Sequence, residues 1–165
     1  MLSVRKANIT DAGLINKLAA QVFPETYKEI LTPEQLEYMF NWMYSPENIR
    51  KQMEDDGHIY FIVYKDQEPC GYYSIQQEQK DLFHLQKIYV LPGFQGSGIG
   101  KYLIEQAIQS IKQLHPGPCM MELNVNRHNK AVQFYKKMGL KVLREGDFHI
   151  GNGFYMNDYI MGMEI

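Results

Sequence analysis

The feature that most constrains this chain is a strand, a glycine-rich turn and a helix in immediate succession, at residues 85–108. Residues 85–90 are rich in β-branched and aromatic side chains and predict a strand. Pro92 and Gly93 end it, because proline has no N–H for a sheet ladder and glycine tolerates tight turns. From Ile99 onward apolar residues recur at helical spacing, so the turn opens directly into a helix.

Such a turn predicts an anion site. The first N–H groups of a helix have no partner within the helix, and the partial positive charge of the helix start favours an anion such as phosphate. Gly96, Gly98 and Gly100 carry no Cβ that would keep the anion away. The alternative interpretation is a tight strand-to-helix turn that binds nothing.

The spacing of the glycines excludes two common phosphate motifs. A P-loop needs Ser or Thr after Gly-Lys, and here Tyr102 follows Lys101. A dinucleotide fingerprint would need its third glycine at Lys101 or Leu103. The pattern Q/R-x-x-G-x-G/A does fit residues 95–100. Together with Val90-Leu91-Pro92 it closely resembles the acetyl-CoA motif of the GCN5-related N-acetyltransferases (GNAT).

The resemblance implies that the turn wraps the pyrophosphate of coenzyme A, with acetyl-CoA as co-substrate. The contacts expected there are Gln95, Gly96, Ser97, Gly98, Ile99, Gly100 and Lys101. It also implies that the main-chain groups of Ile88, Tyr89 and Val90 pair with the pantetheine arm, and that the Val90 N–H donates to the oxyanion.

A second stretch, residues 123–140, resembles the later signature of the same family: a strand, an asparagine, a short helix and the string F-Y-x-x-x-G. The resemblance implies that Asn129 caps the helix and touches the cofactor. It implies that Tyr135 is the general acid that protonates the departing thiolate. From the residues alone, Asn129 could serve only as a cap and Tyr135 only as a core aromatic.

The reaction implied is direct attack of a primary amine on the thioester, which needs a group to remove a proton from the amine. The position of the family's base on the strand falls on His84, whose reference pKa of about 6.5 suits the task. A polar residue near a strand end is the alternative interpretation. Glu25, Glu122, His149 or a chain of waters remain alternatives for the base.

The acceptor is predicted to be a small-molecule amine. Short strings at residues 23–29, 134–139 and 154–156 resemble the bacterial polyamine acetyltransferases. In the family the segment between the first two helices flanks the acceptor site, so the resemblance implies Glu25 and Tyr27 as acceptor contacts. Glu25, Asp147 and Asp158 could supply carboxylates for a cationic substrate. The alternatives are a protein or peptide N-acetyltransferase and a non-catalytic regulator that binds acetyl-CoA. Another kind of nucleotide-binding module is disfavoured, because the glycine spacing fits neither a P-loop nor a dinucleotide fingerprint.

Composition sets the remaining bounds. The 165 residues predict a single N-acetyltransferase domain at 1–165, and a net charge of −2 gives no footprint for nucleic acid. No window approaches the ~18 apolar residues of a membrane span. Cys70 and Cys119 have no metal spacing and are interpreted as buried thiols of a cytoplasmic protein. A homodimer is expected by resemblance only.

The predicted element order is βααβββαβαββ, which is also the family's order. It implies an α/β fold with a mixed, mostly antiparallel sheet of six to seven strands, splayed at its centre, with helices on both faces. The boundaries include a first strand at 3–7, a helix capped by Thr10 that ends near Pro24, and a long connection at 145–154 between the last two strands.

Overall fold

The computed structural model describes all 165 residues as a seven-stranded sheet with five α-helices. A short 3₁₀ turn at Ile9–Asp11 precedes the first helix. The strands are β1 Leu2–Lys6, β2 Ile59–Lys65, β3 Glu68–Gln79, β4 Leu82–Val90, β5 Met120–Asn126, β6 Lys141–Gly151 and β7 Phe154–Glu164. The helices are α1 Ala12–Tyr27, α2 Pro33–Tyr44, α3 Pro46–Glu54, α4 Ile99–Leu114 and α5 Ala131–Lys137. Three helices therefore lie between β1 and β2, where the predicted order has two.

The strand order is β1-β2-β3-β4-β5-β7-β6, and every neighbouring pair is antiparallel except β4 with β5. That parallel pair is short. It joins residues 82–84 of β4 to 120–122 of β5, and no pairing continues beyond His84. The two strands therefore separate toward their carboxyl ends. The predicted mixed sheet with a splayed centre is confirmed.

A β-bulge in β4 decides which side chains face which side of the sheet. Ile75 of β3 pairs with Leu85, whereas the adjacent Ser74 pairs with Lys87, so Gln86 is one residue too many. Simple alternation would place Leu85 and Lys87 on the same face. The bulge instead leaves Leu85 in the core below the sheet and turns Lys87 to the opposite face.

Helices cover both faces of the sheet, as predicted. On one face α4 and α5 pack on a core that includes Tyr73, Leu103 and Met121. On the other face α1, α2 and α3 pack on a core that includes Ile15 and Tyr72. Two cores on opposite faces hold the strands in place while the middle of the sheet stays open.

Two boundary predictions at the amino terminus are wrong. Asn8, not Thr10, caps the first turn, because its side chain accepts from the Thr10 N–H at 2.9 Å while Asp11 bonds back to the Asn8 N–H. Helix α1 also does not stop at Pro24. Proline removes only one helical hydrogen bond there, and the buried rings of Phe23 and Tyr27, with centroids 4.7 Å apart, keep the last turn packed.

The long connection predicted at 145–154 is also wrong, because most of it is strand. β6 pairs with β7 from Lys141 to Gly151, and the hairpin turns at residues 151–153, all with positive φ. Most β6 side chains are exposed, so its sequence shows no apolar alternation. The pairing comes from β7, which lies between β6 and the rest of the sheet.

No helix of the structure is both long enough and apolar enough to cross a membrane. The structure contains no cluster of three or more His, Cys, Asp or Glu side chains able to hold a metal ion. Cys70 and Cys119 are buried free thiols.

Candidate active site

A cavity of about 970 Å³ lies where β4 and β5 separate. Its wall is formed by the last turns of α1, the end of β4, the glycine-rich turn and the start of α5. The residues that line it are Val22, Glu25, Thr26, Glu29, Ile30, Ile88, Tyr89, Val90, Pro92, Gln95, Gly96, Gly98, Gly100, Lys101, His128, Asn129, Lys130, Ala131, Phe134 and Tyr135.

One end of this cavity has the features of an anion site. The backbone N–H groups of residues 95–101 form no hydrogen bond within the chain, and no side chain caps α4. Gly96 and Gly98 have φ values of +84° and +79°, which turn these N–H groups toward one side. Lys101 and Lys130 line the same space. Unpaired N–H groups at a helix start next to two cations favour phosphate.

The residues of the glycine-rich turn have different positions relative to the cavity. A Cβ on Gly100 would lie 3.2 Å from Cζ of Phe134, so the bare Cα of Gly100 lets α4 pack against α5. The Ser97 hydroxyl donates to the Phe94 carbonyl at 2.9 Å, and Ile99 is buried in the core. Ser97 and Ile99 do not line the cavity, and can offer it only their backbone N–H groups.

The open edge of β4 offers main-chain partners to a bound chain. The Leu91 N–H donates to the Cys70 carbonyl at 2.8 Å, and backbone groups alternate in direction along a strand. The N–H groups of Ile88 and Val90 therefore point into the gap, while the N–H group of Tyr89 points to β3. The Val90 carbonyl accepts a hydrogen bond from the Gln95 side chain at 3.3 Å.

Two side chains of the second sequence signature reach the same cavity. Asn129 Oδ1 accepts from the Ala131 N–H at 2.9 Å, and its amide nitrogen makes no hydrogen bond within the chain. Tyr135 is buried, and its hydroxyl also has no partner in the chain. Burial raises the pKa of Tyr135 above its usual value, so the phenol carries its proton at neutral pH.

A second cavity of about 640 Å³ lies below α2 and α3, on the face of the sheet that α1 also covers. Tyr89 lines both cavities, so the two meet at the gap beside β4. Glu25 and Tyr27, the predicted acceptor contacts, do not line this second cavity. Glu25 lines the first cavity, and Tyr27 lines neither, because it is buried and its hydroxyl bonds to that of Tyr89 at 3.1 Å. The second cavity is lined by Trp42, Met43, Asn48, Lys51, Gln52, Asp56, His58, Glu78, His84, Gln86, Lys87, Tyr89, Asn124, Phe148, His149, Ile150 and Met156.

His84 lies in the second cavity at the closed end of the gap. Its Nδ1 is 3.2 Å from Glu78 Oε1, and Glu122 faces it from β5. Burial lowers the pKa of His84, and the carboxylates of Glu78 and Glu122 oppose that shift. The imidazole is therefore neutral at pH 7 and able to accept a proton. Gln86 beside it donates to Gln76 Oε1 at 2.7 Å.

The other acidic candidates are engaged elsewhere. Glu122 accepts from Arg144 at 2.8 Å, and Asp147 accepts from Arg127 at 2.6 Å. Glu25 forms an exposed ion pair with Lys28 at 3.1 Å. These three carboxylates thus already have basic partners.

Two further candidates differ in their access to the cavities. Asp158 is fully buried; its Oδ2 accepts from Asn124 at 3.3 Å, and its Oδ1 has no hydrogen-bond partner. Burial raises the pKa of this carboxyl. His149 lines the second cavity with its ring 5.1 Å from that of Tyr155. His149 is therefore open to a ligand in the second cavity, whereas Asp158 lies beneath its surface.

Sequence reasoning missed Lys87. Lys87 lines the second cavity, although the residue is only 5% exposed. It donates to Gln52 Oε1 at 2.6 Å and to the Tyr60 hydroxyl, and lies 5.1 Å and 4.9 Å from the ring centroids of Tyr44 and Tyr60. Burial lowers the pKa of Lys87 to about 7. A lysine within a largely apolar strand was a signal, but only the bulge shows which way it points.

Comparison with known proteins agrees with this geometry. The family model described as "Acetyltransferase (GNAT) domain" matches residues 27–161. An uncharacterised N-acetyltransferase of Mycobacterium tuberculosis is 27% identical over 159 residues, which are 95% of this chain and 99% of that protein. The peptidyl-lysine N-acetyltransferase YjaB of Salmonella typhimurium is 38% identical over 85 residues, about half of each chain.

The fold is also similar to that of solved structures. The crystal structure of the PaiA N-acetyltransferase from Thermoplasma acidophilum, in complex with coenzyme A, has a TM-score of 0.80. It is 22% identical and the alignment covers 100% of this chain and 99% of that one.

Proposed function

The chain belongs to the GNAT acetyltransferase family, and we propose that it transfers the acetyl group of acetyl-CoA to the primary amine of a small molecule. The N-acetyltransferase activity and the acetyl-CoA co-substrate follow from the family. The observation that carries the proposed site is the row of unpaired N–H groups at residues 95–101, which opens into the same cavity as Tyr135 and the free edge of β4.

Each part of the cofactor has a matching surface in this proposal. The pyrophosphate binds at the N–H groups of residues 95–101, beside Lys101 and Lys130. The pantetheine arm binds along β4, where Ile88 and Val90 offer main-chain groups as a neighbouring strand would. The amide nitrogen of Asn129 is free to donate to the same arm. The thioester then lies at the gap, next to Tyr89.

The reaction uses groups from both sides of the sheet. The amine nitrogen attacks the thioester carbon, a C–N bond forms, and the C–S bond breaks. The Val90 N–H donates to the oxygen on which negative charge develops. Tyr135, in the first cavity, gives its proton to the departing sulfur, and His84, in the second cavity, takes the proton that leaves the amine, through water where needed.

The acceptor enters through the second cavity, since the first is taken up by the cofactor. A polyamine is one candidate acceptor, because residues 23–29, 134–139 and 154–156 resemble the bacterial polyamine acetyltransferases. A lysine side chain of a peptide is the second, favoured by the 38% identity to YjaB over half of the chain. The two buried free thiols fit a reducing compartment, and we propose the cytoplasm. Residues 1–165 would form one domain; the homodimer stays a prediction.

The test is thiol release from acetyl-CoA with one acceptor at a time: spermidine, spermine, a short diamine, an amino acid and a lysine-containing peptide. We expect release with small amines. Release only with the peptide would overturn the small-molecule proposal and leave the transferase standing. Silence with every acceptor, while coenzyme A still binds, would favour the non-catalytic regulator.

A further inference from the structure

The second cavity contains a buried cation that no carboxylate of the chain neutralises. None of the ion pairs in the structure involves Lys87. Its hydrogen-bond partners, Gln52 and Tyr60, are uncharged, and two tyrosine rings surround it. A buried ammonium group is costly unless an anion compensates it. Because Lys87 lines an open space of about 640 Å³, a ligand can supply that anion.

The other charged groups of this cavity already have partners. Lys51 lies 3.3 Å from the Asp56 carboxylate, and Glu78 lies 3.2 Å from His84. An incoming ammonium group would therefore find no carboxylate without a basic neighbour, and it would meet Lys87. An incoming carboxylate would find a cation that lacks its counter-ion.

We propose that Lys87 binds a carboxylate carried by the acceptor, so that the acceptor is an amino acid rather than a polyamine. This proposal rests on the proposed function, because it names the acceptor class of that same site. Lys87 then determines specificity and does not take part in the transfer of the acetyl group.

The spacing along β4 sets the size of the acceptor. Lys87 and Tyr89 are two residues apart on the same face, a distance of about 7 Å along a strand. Tyr89 lines both cavities and so marks the gap where the thioester lies. An amine at the gap and a carboxylate at Lys87 are therefore only a few bonds apart, as in an α- to γ-amino acid.

The first test compares acceptors that differ only in charge. The probes are the common amino acids, each with its carboxamide, and the series 4-aminobutyrate, butylamine and 1,4-diaminobutane. For the best amino acid we expect kcat/KM to exceed that of its carboxamide by about tenfold or more, the lower end of what a hydrogen bond to a charged group contributes. The preference should vanish in Lys87→Met, and persist in the exposed-lysine control Lys17→Met.

Equal kcat/KM for an amino acid and its carboxamide in the wild-type enzyme would overturn the proposal while leaving the transferase in place. A preference that survives in Lys87→Met would overturn the role of Lys87. Acetylation of diamines but not of amino acids would overturn the acceptor class, and acetylation of peptides alone would overturn both this proposal and the small-molecule function.

A second measurement keeps the proposal testable if Lys87→Met fails to fold. The N-acetylated product of the best amino acid keeps the carboxylate and has no amine that titrates. Its binding at pH 8 should be accompanied by uptake of a proton, measured by calorimetry in two buffers, because an anion beside Lys87 favours the charged amine. Absence of uptake would overturn the proposal. The other groups that face this space are Lys51, Asp56, His58, Glu78, His84 and His149.

Discussion

Tyr135 and Lys87 are both buried at cavity walls, and burial shifts their pKa values in opposite directions for the same reason. A low-dielectric surrounding favours the neutral form of any group, so the pKa of the phenol rises and that of the amine falls. For Tyr135 this would weaken an acid. In the proposed reaction the departing thiolate would lie in the same cavity, where burial would raise its pKa as well, so that the proton could still pass to sulfur.

Replacement of Tyr135 by phenylalanine removes only the hydroxyl and should lower kcat by about 10²- to 10⁴-fold, the usual contribution of a general acid. The KM for acetyl-CoA should change little, since the ring stays in place. Steady-state kinetics with the best acceptor provides the measurement, and Tyr155→Phe, at an exposed position, is the matched control. An equal loss in kcat and in cofactor affinity would argue against the acid role.

Replacement of Lys87 by methionine should change the pH dependence of stability. In the folded chain the pKa of Lys87 is about 7, against the ordinary 10.5 when unfolded. Between these values the unfolded state binds one proton more, so the free energy of unfolding rises with pH; below pH 7 the cost of the buried charge is complete. We expect wild type to gain about 2 kcal/mol from pH 7 to pH 9 relative to Lys87→Met.

Urea denaturation at both pH values measures this difference, with Lys17→Met as the control for loss of a surface charge. If the free energy of unfolding changes equally with pH in wild type and in Lys87→Met, the ammonium group keeps its ordinary pKa in the fold. Met is of similar volume and apolar, so Lys87→Met should be at least as stable as wild type at pH 7.

At the scale of elements, the glycine-rich turn shows that three similar residues have different tasks. Gly96 and Gly98 adopt the left-handed conformation, with nothing within 4 Å of the place of a Cβ, whereas Gly100 makes room for Phe134. The sequence pattern predicts the same role for all three glycines, which is to let an anion approach, and does not separate these tasks. Their distinction depends on α5, which is more than thirty residues away in the chain.

Gly98→Ala should disturb the start of α4, because an L-residue at φ +79° costs about 1–2 kcal/mol. If the turn relaxes, its N–H groups no longer point to one place. The Kd for coenzyme A should then rise by about tenfold, which corresponds to 1.4 kcal/mol. Gly13→Ala is the control: Gly13 lies exposed in α1 with open space around it and should gain about 0.5–1 kcal/mol in stability. Calorimetry with coenzyme A that gave unchanged affinity in Gly98→Ala would contradict the anion site.

Pro24 and the β6–β7 hairpin illustrate where element prediction failed. Local rules end a helix before proline and treat a polar, glycine-containing stretch as a connection. In the fold, two buried aromatic rings keep α1 helical through Pro24, and β7 supplies a complete ladder for β6. Both outcomes depend on contacts between distant segments, which no local pattern contains.

At the scale of the whole molecule, the two cores on opposite faces keep β4 and β5 apart. β4 is held by β3 and β5 by β7, so neither strand needs the other beyond residues 82–84 and 120–122. The unpaired edges of the gap remain free for a ligand. This arrangement places the proposed acid and the proposed base on opposite sides of one opening.

Filling this gap with coenzyme A should stabilise the whole chain. At a concentration 100 times Kd, binding to the folded state alone contributes about 2.7 kcal/mol, which raises the Tm of a chain of this length by about 5–10 °C. Thermal unfolding with coenzyme A, acetyl-CoA, ATP and NAD makes the comparison. A rise with ATP or NAD and none with coenzyme A would contradict the proposed site.

The sequence by itself determined most of the elements and the glycine-rich turn at the start of α4, because these follow from local spacing: a strand, then glycines, then a helical stripe. Asn129 and Tyr135 are predicted from the resemblance of residues 123–140 to the family's later signature, and not from local spacing. The tertiary structure alone decided which side chains meet. The bulge at Gln86 turns Lys87 into the second cavity, and the early end of the β4–β5 pairing opens the gap, since both depend on how distant strands pair in register.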